Sequence, residues 1–282
     1  MNNVLPSIDL LNKEVFDDQK YYNLSELLKD NFEHKMLIPI GIDQRKTKYY
    51  VDLKDTSGIF IGGATGSGKS MFLDALIITL LLKNTPENLK FLMINPCEVE
   101  LKDYEYLPHQ LTKVKVNSEE SLKSLENILN IMEQRRNLLR SNENTNIESF
   151  NEKHTDKLPH ILIIIDESEN LMEEEKTKEI LEKILCDGRS LGVHLILATS
   201  SYFKKDFDKN FMKLFSYVLS FDLSSQEQAE FIDFKDSNLL AVSGEALIKN
   251  HGQISKIQTP FISDEEIKKV VSFITNQNKE KK

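Results

Sequence analysis

The segment GIFIGGATGSGKS at residues 58–70 constrains the fold more than any other part of the chain. Its last eight residues fit the pattern G-x-x-x-x-G-K-S, in which backbone N–H groups surround a phosphate, the lysine reaches the outer phosphates and the serine hydroxyl ligates Mg²⁺. The apolar run before this loop predicts a strand, and MFLDALIITLLL after it predicts a helix whose positive N-terminal end faces the anion. The candidate ATP-binding residues are Gly63, Ala64, Thr65, Gly66, Ser67, Gly68, Lys69 and Ser70, and Ser70 is also a candidate Mg²⁺ ligand. The alternative interpretation is a glycine-rich turn that enters a buried helix without binding a nucleotide.

The composition is that of a globular protein with a substantial core. Of the 282 residues, 29% are charged and 40% are hydrophobic, which is enough to build one large domain. The longest apolar run, around residues 75–82, is much shorter than the roughly 20 residues that span a bilayer. The N-terminus is acidic and polar, unlike a signal peptide, and Cys97 and Cys186 lack metal-ligand spacing. We therefore expect a cytoplasmic protein with reduced thiols.

The net charge of −9 limits how this chain can bind nucleic acid. Nonspecific DNA binding depends mainly on cationic side chains that displace counterions from the phosphates. A DNA-binding surface in this chain must therefore come from a local cluster of lysines or arginines.

Predicted strands and helices alternate along most of the chain, a pattern typical of a mainly parallel sheet covered by helices on both faces. The predicted fold class is therefore α/β. The polar segment 141–157 has few apolar anchors, so we interpret it as a surface loop. Strands are predicted at 36–43, 46–53, 58–62, 89–95, 160–166, 193–200 and 217–223, and helices at 71–83, 118–141, 171–192 and 263–274, the last with Ser263 as its cap.

An acidic pair, Asp166 and Glu167, ends the most apolar predicted strand of the chain. An acid at the end of a strand beside the P-loop can hold the Mg²⁺ water shell, and the next Glu can orient and deprotonate an attacking water. The alternative is a pair that only caps the following helix. The predicted strand 89–95 lies between the P-loop and this pair in the sequence, and an inserted strand together with an added Glu is typical of motor ATPases.

Further segments carry a resemblance to a known family. In order and spacing, residues 37–274 resemble the motor domain of the FtsK/SpoIIIE DNA translocases. The resemblance implies a RecA-like P-loop NTPase that forms a hexameric ring and threads double-stranded DNA through its pore as ATP is hydrolysed between subunits. Besides the P-loop, the matching segments are LKFLMINP, ELKDYEYLPHQLTKV, MEQRR, PHILIIIDE, GRSLGVHLILAT, GEALI and PFISDEEIKKVVSFI.

The resemblance assigns roles to several residues. Lys69 and Ser70 match the phosphate and Mg²⁺ ligands, Asp166 matches the acid of the metal shell, and Glu167 matches the catalytic base. Thr199, near the end of the sensor strand, is a further candidate contact of the nucleotide. The cofactors implied are ATP and Mg²⁺.

Arg189, in GRSLGVH, matches an arginine that the family keeps just before its sensor strand. By resemblance it is an arginine finger that reaches the γ-phosphate in a neighbouring subunit, an interaction worth about 10³ to 10⁵ in rate. The alternative is a cation that only favours a helix C-terminus. The other arginines of the chain are Arg45, Arg135, Arg136 and Arg140.

The chain also departs from the family pattern. Residues 198–202 read ATSSY where the family usually has ATQRP, so a sensor-type amide and an arginine are lost. Residues 95–97 read NPC in place of DPK, and Val218 and Glu230 stand where family members tend to carry arginines. We still expect hydrolysis, and these departures leave its rate and its coupling between subunits open.

The predicted domain organisation is a motor with short ends. We expect an acidic N-terminal lead-in at 1–35, with a helix that starts at Asn23 or Ser25, an FtsK-type ATPase domain at 36–275, and a flexible lysine-rich tail at 276–282. No membrane-spanning domain or winged-helix module is expected within this length. In this expected domain organisation the chain is similar to the short motor-domain proteins of plasmids and mobile elements.

The best candidate for DNA contact is the segment SYFKKDFDKNFMKLF, in which lysines interleave with phenylalanines. Lysines suffice to grip a duplex through its phosphates. The alternative is an amphipathic helix with solvated lysines and buried phenylalanines. The candidate lysines are Lys204, Lys205, Lys209 and Lys213.

Three functions remain open from the sequence. The leading one is an ATP-driven translocase of double-stranded DNA that works as a homo-oligomeric ring, with a membrane-bound or conjugation protein as a possible partner. The second is a conjugation or secretion coupling ATPase with a nucleoprotein or protein cargo. The third is a hydrolysis-impaired subunit that binds the nucleotide for assembly.

Overall fold

The computed structural model describes residues 4–11, 21–96, 101–200, 207–223, 225–231, 234, 240, 242–250 and 252–279. Within these residues the strands are β1 (Tyr22–Asn23), β2 (Leu37–Asp43), β3 (Lys48–Asp52), β4 (Gly58–Gly62), β5 (Leu89–Ile94), β6 (His160–Ile165), β7 (Val193–Thr199), β8 (Tyr217–Ser220), β9 (Glu245–Asn250), β10 (Gln253–Gln258) and β11 (Pro260–Phe261). The helices are α1 (Leu24–Leu28), α2 (Lys69–Lys83), α3 (Ser118–Ser141), α4 (Ile147–Lys153), α5 (Glu169–Met172), α6 (Glu175–Asp187), α7 (Lys209–Met212), α8 (Gln226–Phe231) and α9 (Asp264–Lys279).

The main sheet is mixed, with the strand order β3-β2-β10-β9-β8-β4-β7-β6-β5. Strands β8, β4, β7, β6 and β5 are parallel to one another, whereas β9 is antiparallel to β8 and the pairs β9–β10, β10–β2 and β2–β3 are antiparallel. The α/β class is confirmed. The expectation of a mainly parallel sheet is wrong for the part formed by β9, β10, β2 and β3. The physical reason is that tight turns such as the one at Gly252 (φ 83°) connect only antiparallel neighbours.

Helices cover both faces of the sheet, as the alternation of elements predicts. One core lies between α2, α9 and one face and includes Phe72, Leu76 and Ile164. The other lies under α3, α6 and α7 and includes Phe60 and Ile163. Because consecutive strand residues point to opposite faces, the apolar run of β6 supplies both cores at once.

The P-loop strand β4 lies in the middle of the sheet, between β7 and β8. A single strand separates it from β6, and that strand is β7, which comes after both in the sequence. The predicted strand 89–95 exists as β5 but lies at the edge. There the chain between His109 and Lys115 hydrogen-bonds to its outer side: the Phe91 N–H donates to the His109 carbonyl oxygen (2.8 Å) and the Lys115 N–H to the Met93 carbonyl oxygen (2.9 Å).

The N-terminal segment packs on the core that α2 and α9 form. Helix α1 begins after Asn23, as predicted, and Leu24 and Leu28 are buried in that core. Strand β1 pairs with β11 near the other end of the chain. At that end, Ser263 caps α9 by a reciprocal pair of hydrogen bonds with Glu266, which confirms the predicted cap. Helix α9 continues to Lys279, beyond the start predicted for the tail.

Two predictions of local structure are wrong. Segment 141–157 contains helix α4, which a capping box at Asn146 and Ser149 initiates and which buries Ile147 and Phe150. Two apolar anchors were too few to recognise by periodicity. The predicted helix 171–192 is two helices, α5 and α6, because the chain becomes extended at Glu174 (φ −87°, ψ 115°).

A buried histidine pair lies at the end of the sheet where β6 and β7 begin. His160 Nδ1 and His194 Nε2 are 3.0 Å apart, and the two residues are 8% and 1% exposed. Next to them, the buried Arg135 donates hydrogen bonds to the carbonyl oxygens of Leu191 (2.7 Å) and Pro159 (2.6 Å). Burial lowers the pKa of His160 to about 3 and that of His194 to about 4, below the ordinary 6.5.

We predict that this pair makes the fold sensitive to acid. Between pH 6.5 and about 4 the unfolded chain binds protons that the folded chain excludes, so the free energy of unfolding falls as the pH falls. At pH 5 each of these buried, uncharged histidines lowers the free energy of unfolding by about 2 kcal/mol. In urea denaturation at pH 7 and pH 5, His194→Gln should lose clearly less stability than the parent. The exposed His34→Gln is the control, and an equal loss in His194→Gln and the parent would refute the interpretation.

Candidate nucleotide site

The loop between β4 and α2 has the backbone shape that a phosphate cradle needs. Gly66 and Gly68 adopt φ values of 82° and 107°, a region that side chains disfavour. A Cβ atom on Gly63 would come within 2.6 Å of both Ser67 Oγ and Phe221 Cβ. The glycines at these three positions are therefore required by conformation or by space.

Neighbouring strands hold this loop in place. The Gly63 N–H donates to the carbonyl oxygen of Thr199 at the end of β7, and the Ala64 N–H donates to that of Asp222, just after β8 (3.2 and 2.8 Å). From the other side, the Gly244 N–H donates to the Ser67 carbonyl oxygen at 2.8 Å. The loop is thus fixed where three strands of the sheet end or begin.

Lys69 is buried and lies between the two predicted acids. Its Nζ is 2.9 Å from Asp166 Oδ1 and 2.7 Å from Glu167 Oε1, and only 4% of the residue is exposed. Burial alone lowers the pKa of Lys69, but the Asp166 and Glu167 carboxylates outweigh burial and raise it. Removal of one partner of such a buried group leaves an uncompensated charge, which is strongly destabilising. The structure therefore brings together the residues that the sequence placed 97 positions apart.

Glu167 is held in a strained and defined position. Its backbone has φ 52°, which is costly for a residue with a Cβ. Oε1 faces Lys69, and Oε2 accepts a hydrogen bond from Ser200 Oγ at 2.5 Å. The two carboxylate oxygens thus have different partners on different elements.

Ser200 and Glu169 are site residues that the sequence analysis did not identify. Glu169 Oε1 accepts hydrogen bonds from the Ser200 N–H and from Thr199 Oγ1, both at 2.7 Å. The predicted nucleotide contact Thr199 thus directs its hydroxyl to Glu169. Ser200 stands where the sequence indicates a lost sensor amide, and its hydroxyl contacts Glu167 instead. No spacing in the sequence could have indicated the contact between Ser200 and Glu169, because the pairing of β6 with β7 brings the two residues together.

A cavity of about 150 Å³ opens beside α2 and is lined by Ser70 and Asp166, the two predicted Mg²⁺ ligands. Asp74 lies on the same wall; burial raises its pKa to about 6, although a hydrogen bond from the Tyr104 hydroxyl (2.7 Å) opposes this. Mg²⁺ in nucleotide sites takes one or two protein oxygens together with phosphates and water. In the described part of the chain no group of three His, Cys, Asp or Glu side chains could hold a metal ion. Ser70 and Asp166 fit the one or two protein oxygens that Mg²⁺ takes in such a site.

Arg189 lies at the opposite end of the sheet from the P-loop. It is exposed, precedes β7, and its Nη1 is 3.4 Å from the Asp55 carbonyl oxygen. Strand β7 runs from there toward the P-loop, where Thr199 pairs with Gly62, a length of about 20 Å. Arg189 is thus too far away to contact the nucleotide site of its own chain.

The DNA-contact candidates are only partly described. Lys209 and Lys213 are exposed on and just after α7, while Phe207 and Phe215 on either side of them pack against Phe60. Lys204 and Lys205 lie outside the described residues. The described part of the segment thus buries its aromatic rings, and Lys209 and Lys213 remain candidates by their exposure alone.

The structure describes three of the remaining departures from the family pattern. Asn95, just after β5, is buried, and its N–H donates to the Lys115 carbonyl oxygen (2.8 Å). Val218 is half-buried in β8, and the exposed Glu230 on α8 accepts a hydrogen bond from Gln226 (3.0 Å).

Comparison with known proteins identifies the family. The FtsK/SpoIIIE family model matches residues 27–206. The chain belongs to the FtsK/SpoIIIE family. Among its relatives, the DNA translocase FtsK of Staphylococcus epidermidis is 28% identical over 98% of this chain and 37% of its own length. That of Clostridium acetobutylicum is 32% identical over 91% of this chain and 35% of its own length. The chain thus spans about a third of these FtsK proteins.

Solved structures share the fold at lower identity. The cytoplasmic domain of the type VII secretion ATPase EccC of Thermomonospora curvata has a TM-score of 0.78 and 22% identity over 90% of this chain and 34% of its own. The pCW3 conjugation coupling protein TcpA, solved with ATPγS, has a TM-score of 0.75 and 19% identity over 93% of this chain and 75% of its own. These likenesses show that the chain shares its fold with both ATPase structures. Within the described residues, no helix combines the length and apolar character needed to cross a membrane.

Proposed function

We infer that this chain is an ATP-driven motor that moves double-stranded DNA through a ring of identical subunits. The observation that carries the proposal is the contact of Lys69 with both Asp166 and Glu167 beneath a P-loop of the required shape. The sequence relatives support DNA as the cargo, since those at 28% and 32% identity are named DNA translocases.

The described side chains divide the work at the nucleotide. Lys69 would pair with the outer phosphates of ATP, and Ser70 and Asp166 would hold Mg²⁺, which neutralises charge on the phosphates. Glu167 would orient a water and accept its proton. Once Lys69 pairs with the phosphates, Oε1 would lose its contact with Lys69 while Oε2 keeps its contact with Ser200, so the water would approach Oε1.

The position of Arg189 fits a head-to-tail ring. A heterologous interface repeats the same pair of surfaces around a closed ring. The P-loop end of one subunit would then face the Arg189 end of the next, and that arginine would reach the neighbour's phosphates. A finger in trans requires this separation from its own site.

Lysine contacts would hold the duplex. Lys209 and Lys213 are exposed on a segment anchored by buried aromatic rings, which gives the cations a rigid base. Contacts to phosphates alone carry no base readout, as a motor that moves along any sequence requires.

The proposed function is tested by ATP turnover with and without duplex DNA, from low to physiological salt. Wild-type turnover should rise several-fold on long duplex, and Glu167→Gln should retain ATP binding but lose about 10²- to 10⁴-fold in turnover. Turnover that ignores DNA would contradict the translocase and favour a coupling ATPase with a protein cargo. Tight ATP binding without any turnover would indicate an assembly subunit.

The role of Arg189 gives a second prediction. Arg189→Ala should bind ATP with near-normal affinity but hydrolyse it about 10³-fold more slowly. Mixed with excess Glu167→Gln subunits, which keep the arginine but lack the base, it should regain turnover, because a neighbour then supplies the missing charge.

The readout is turnover per subunit across the mixing ratio. Lys123→Ala on the exposed face of α3 is a matched control for the loss of a surface cation. The recovery should disappear on dilution, since it needs assembled rings. A strictly linear sum of the two parental activities would exclude a role in trans.

A further inference from the structure

We propose that Ser200, held in place by Glu169, is a positioning residue that keeps the Glu167 carboxylate aimed at the attacking water. The inference rests on the proposed function, in which Glu167 is the base for ATP hydrolysis. It adds two residues to that reaction, one directly after β7 and one at the start of α5.

The Glu167 carboxylate is held at both ends. Oε1 lies 2.7 Å from Lys69 Nζ and Oε2 lies 2.5 Å from Ser200 Oγ. Once Lys69 pairs with phosphates, Oε1 loses this partner and becomes available to a water. The Ser200 hydroxyl still donates to Oε2 and fixes the carboxylate through that oxygen.

Glu169 fixes the donor itself. Its Oε1 accepts from the Ser200 N–H and the Thr199 hydroxyl at 2.7 Å, and Ser200 Oγ lies 3.0 Å away. A serine hydroxyl has one proton to donate, and the shorter distance to Glu167 assigns that proton to Oε2. Glu169 therefore holds the end of β7 through the Ser200 N–H and the Thr199 hydroxyl, and the Ser200 hydroxyl is left to donate to Glu167.

The side chain of Glu167 depends on contacts with other residues to keep its orientation. Its left-handed backbone (φ 52°) is costly for a residue with a Cβ and persists only where surrounding contacts maintain it. A carboxylate with free rotation would present Oε1 to the water for only part of the time, and misplacement of a catalytic group by about 1 Å is costly in rate. A single charge-assisted hydrogen bond to Oε2 removes this freedom.

The same contacts could instead serve only to tie α5 to the end of β7. That structural role and the positioning role predict different kinetics. Loss of a structural tie would lower stability or the affinity for ATP, whereas loss of positioning lowers kcat and leaves KM unchanged.

The experiment compares kcat and KM for ATP in Ser200→Ala and Ser200→Thr. Loss of the hydroxyl in Ser200→Ala should lower kcat by about tenfold or more, the effect of one hydrogen bond to a charged group, with KM within about twofold of the parent. Ser200→Thr retains a hydroxyl and should recover most of kcat. Ser141→Ala, which removes an exposed serine hydroxyl at the end of α3, is the matched control and should match the parent.

Variants at Glu169 test the second half of the proposal. Glu169→Gln keeps an acceptor oxygen and should stay near the parental kcat, whereas Glu169→Ala should lower kcat as Ser200→Ala does. Because both changes act through one contact, the double variant should lose little more than either single variant.

The outcomes separate this inference from the proposed function. If Glu167→Gln abolishes turnover while Ser200→Ala and Glu169→Ala turn over like the parent, the positioning role is overturned and the ATPase stands. A rise in KM at constant kcat, or no recovery in Ser200→Thr, also overturns it. If the wild-type chain hydrolyses no ATP under any condition, both the inference and the proposed function fall.

Discussion

The buried contact of Lys69 with Asp166 and Glu167 organises the rest of the site. Lys69 is only 4% exposed, and its two carboxylate partners compensate its buried charge, so this contact ties the P-loop helix to the end of β6. The partners that stabilise the lysine are also the groups predicted to hold the metal and activate water. In the proposed function, nucleotide binding would therefore act as an exchange of partners, in which phosphates replace the carboxylates around Lys69 and release Glu167.

The sheet makes this exchange possible by its order of strands. β7 lies between the P-loop strand and β6, so its last residues reach both the loop and the acids: Thr199 accepts from Gly63, and Ser200 donates to Glu167. The opposite end of β7 carries Arg189. One strand thus joins the proposed catalytic base of the chain to the residue proposed to act on a neighbour, which would give a short physical connection between successive sites in a ring.

The elements with strong periodicity or fixed spacing could be predicted from the sequence. The P-loop, the buried strands and the acidic pair depend on local patterns that no distant contact changes. Helix α4 was missed because only two apolar residues and a capping box at Asn146 stabilise it. The antiparallel part of the sheet was missed because the direction of a strand depends on the turns that connect it. Ser200 and Glu169 were missed for a different reason: their contact arises from the alignment of two strands, a property that a linear pattern does not contain.

The most direct test of this account is a structure of the chain with Mg²⁺ and ATPγS at a resolution that places side chains. The distance from Lys69 Nζ to Glu167 Oε1 should exceed about 4 Å, the limit for an ion pair, with the lysine on the outer phosphates, while Ser200 Oγ stays within hydrogen-bond distance of Oε2. A bound nucleotide with Lys69 still paired to Glu167, or with Glu167 released from Ser200, would contradict the exchange of partners.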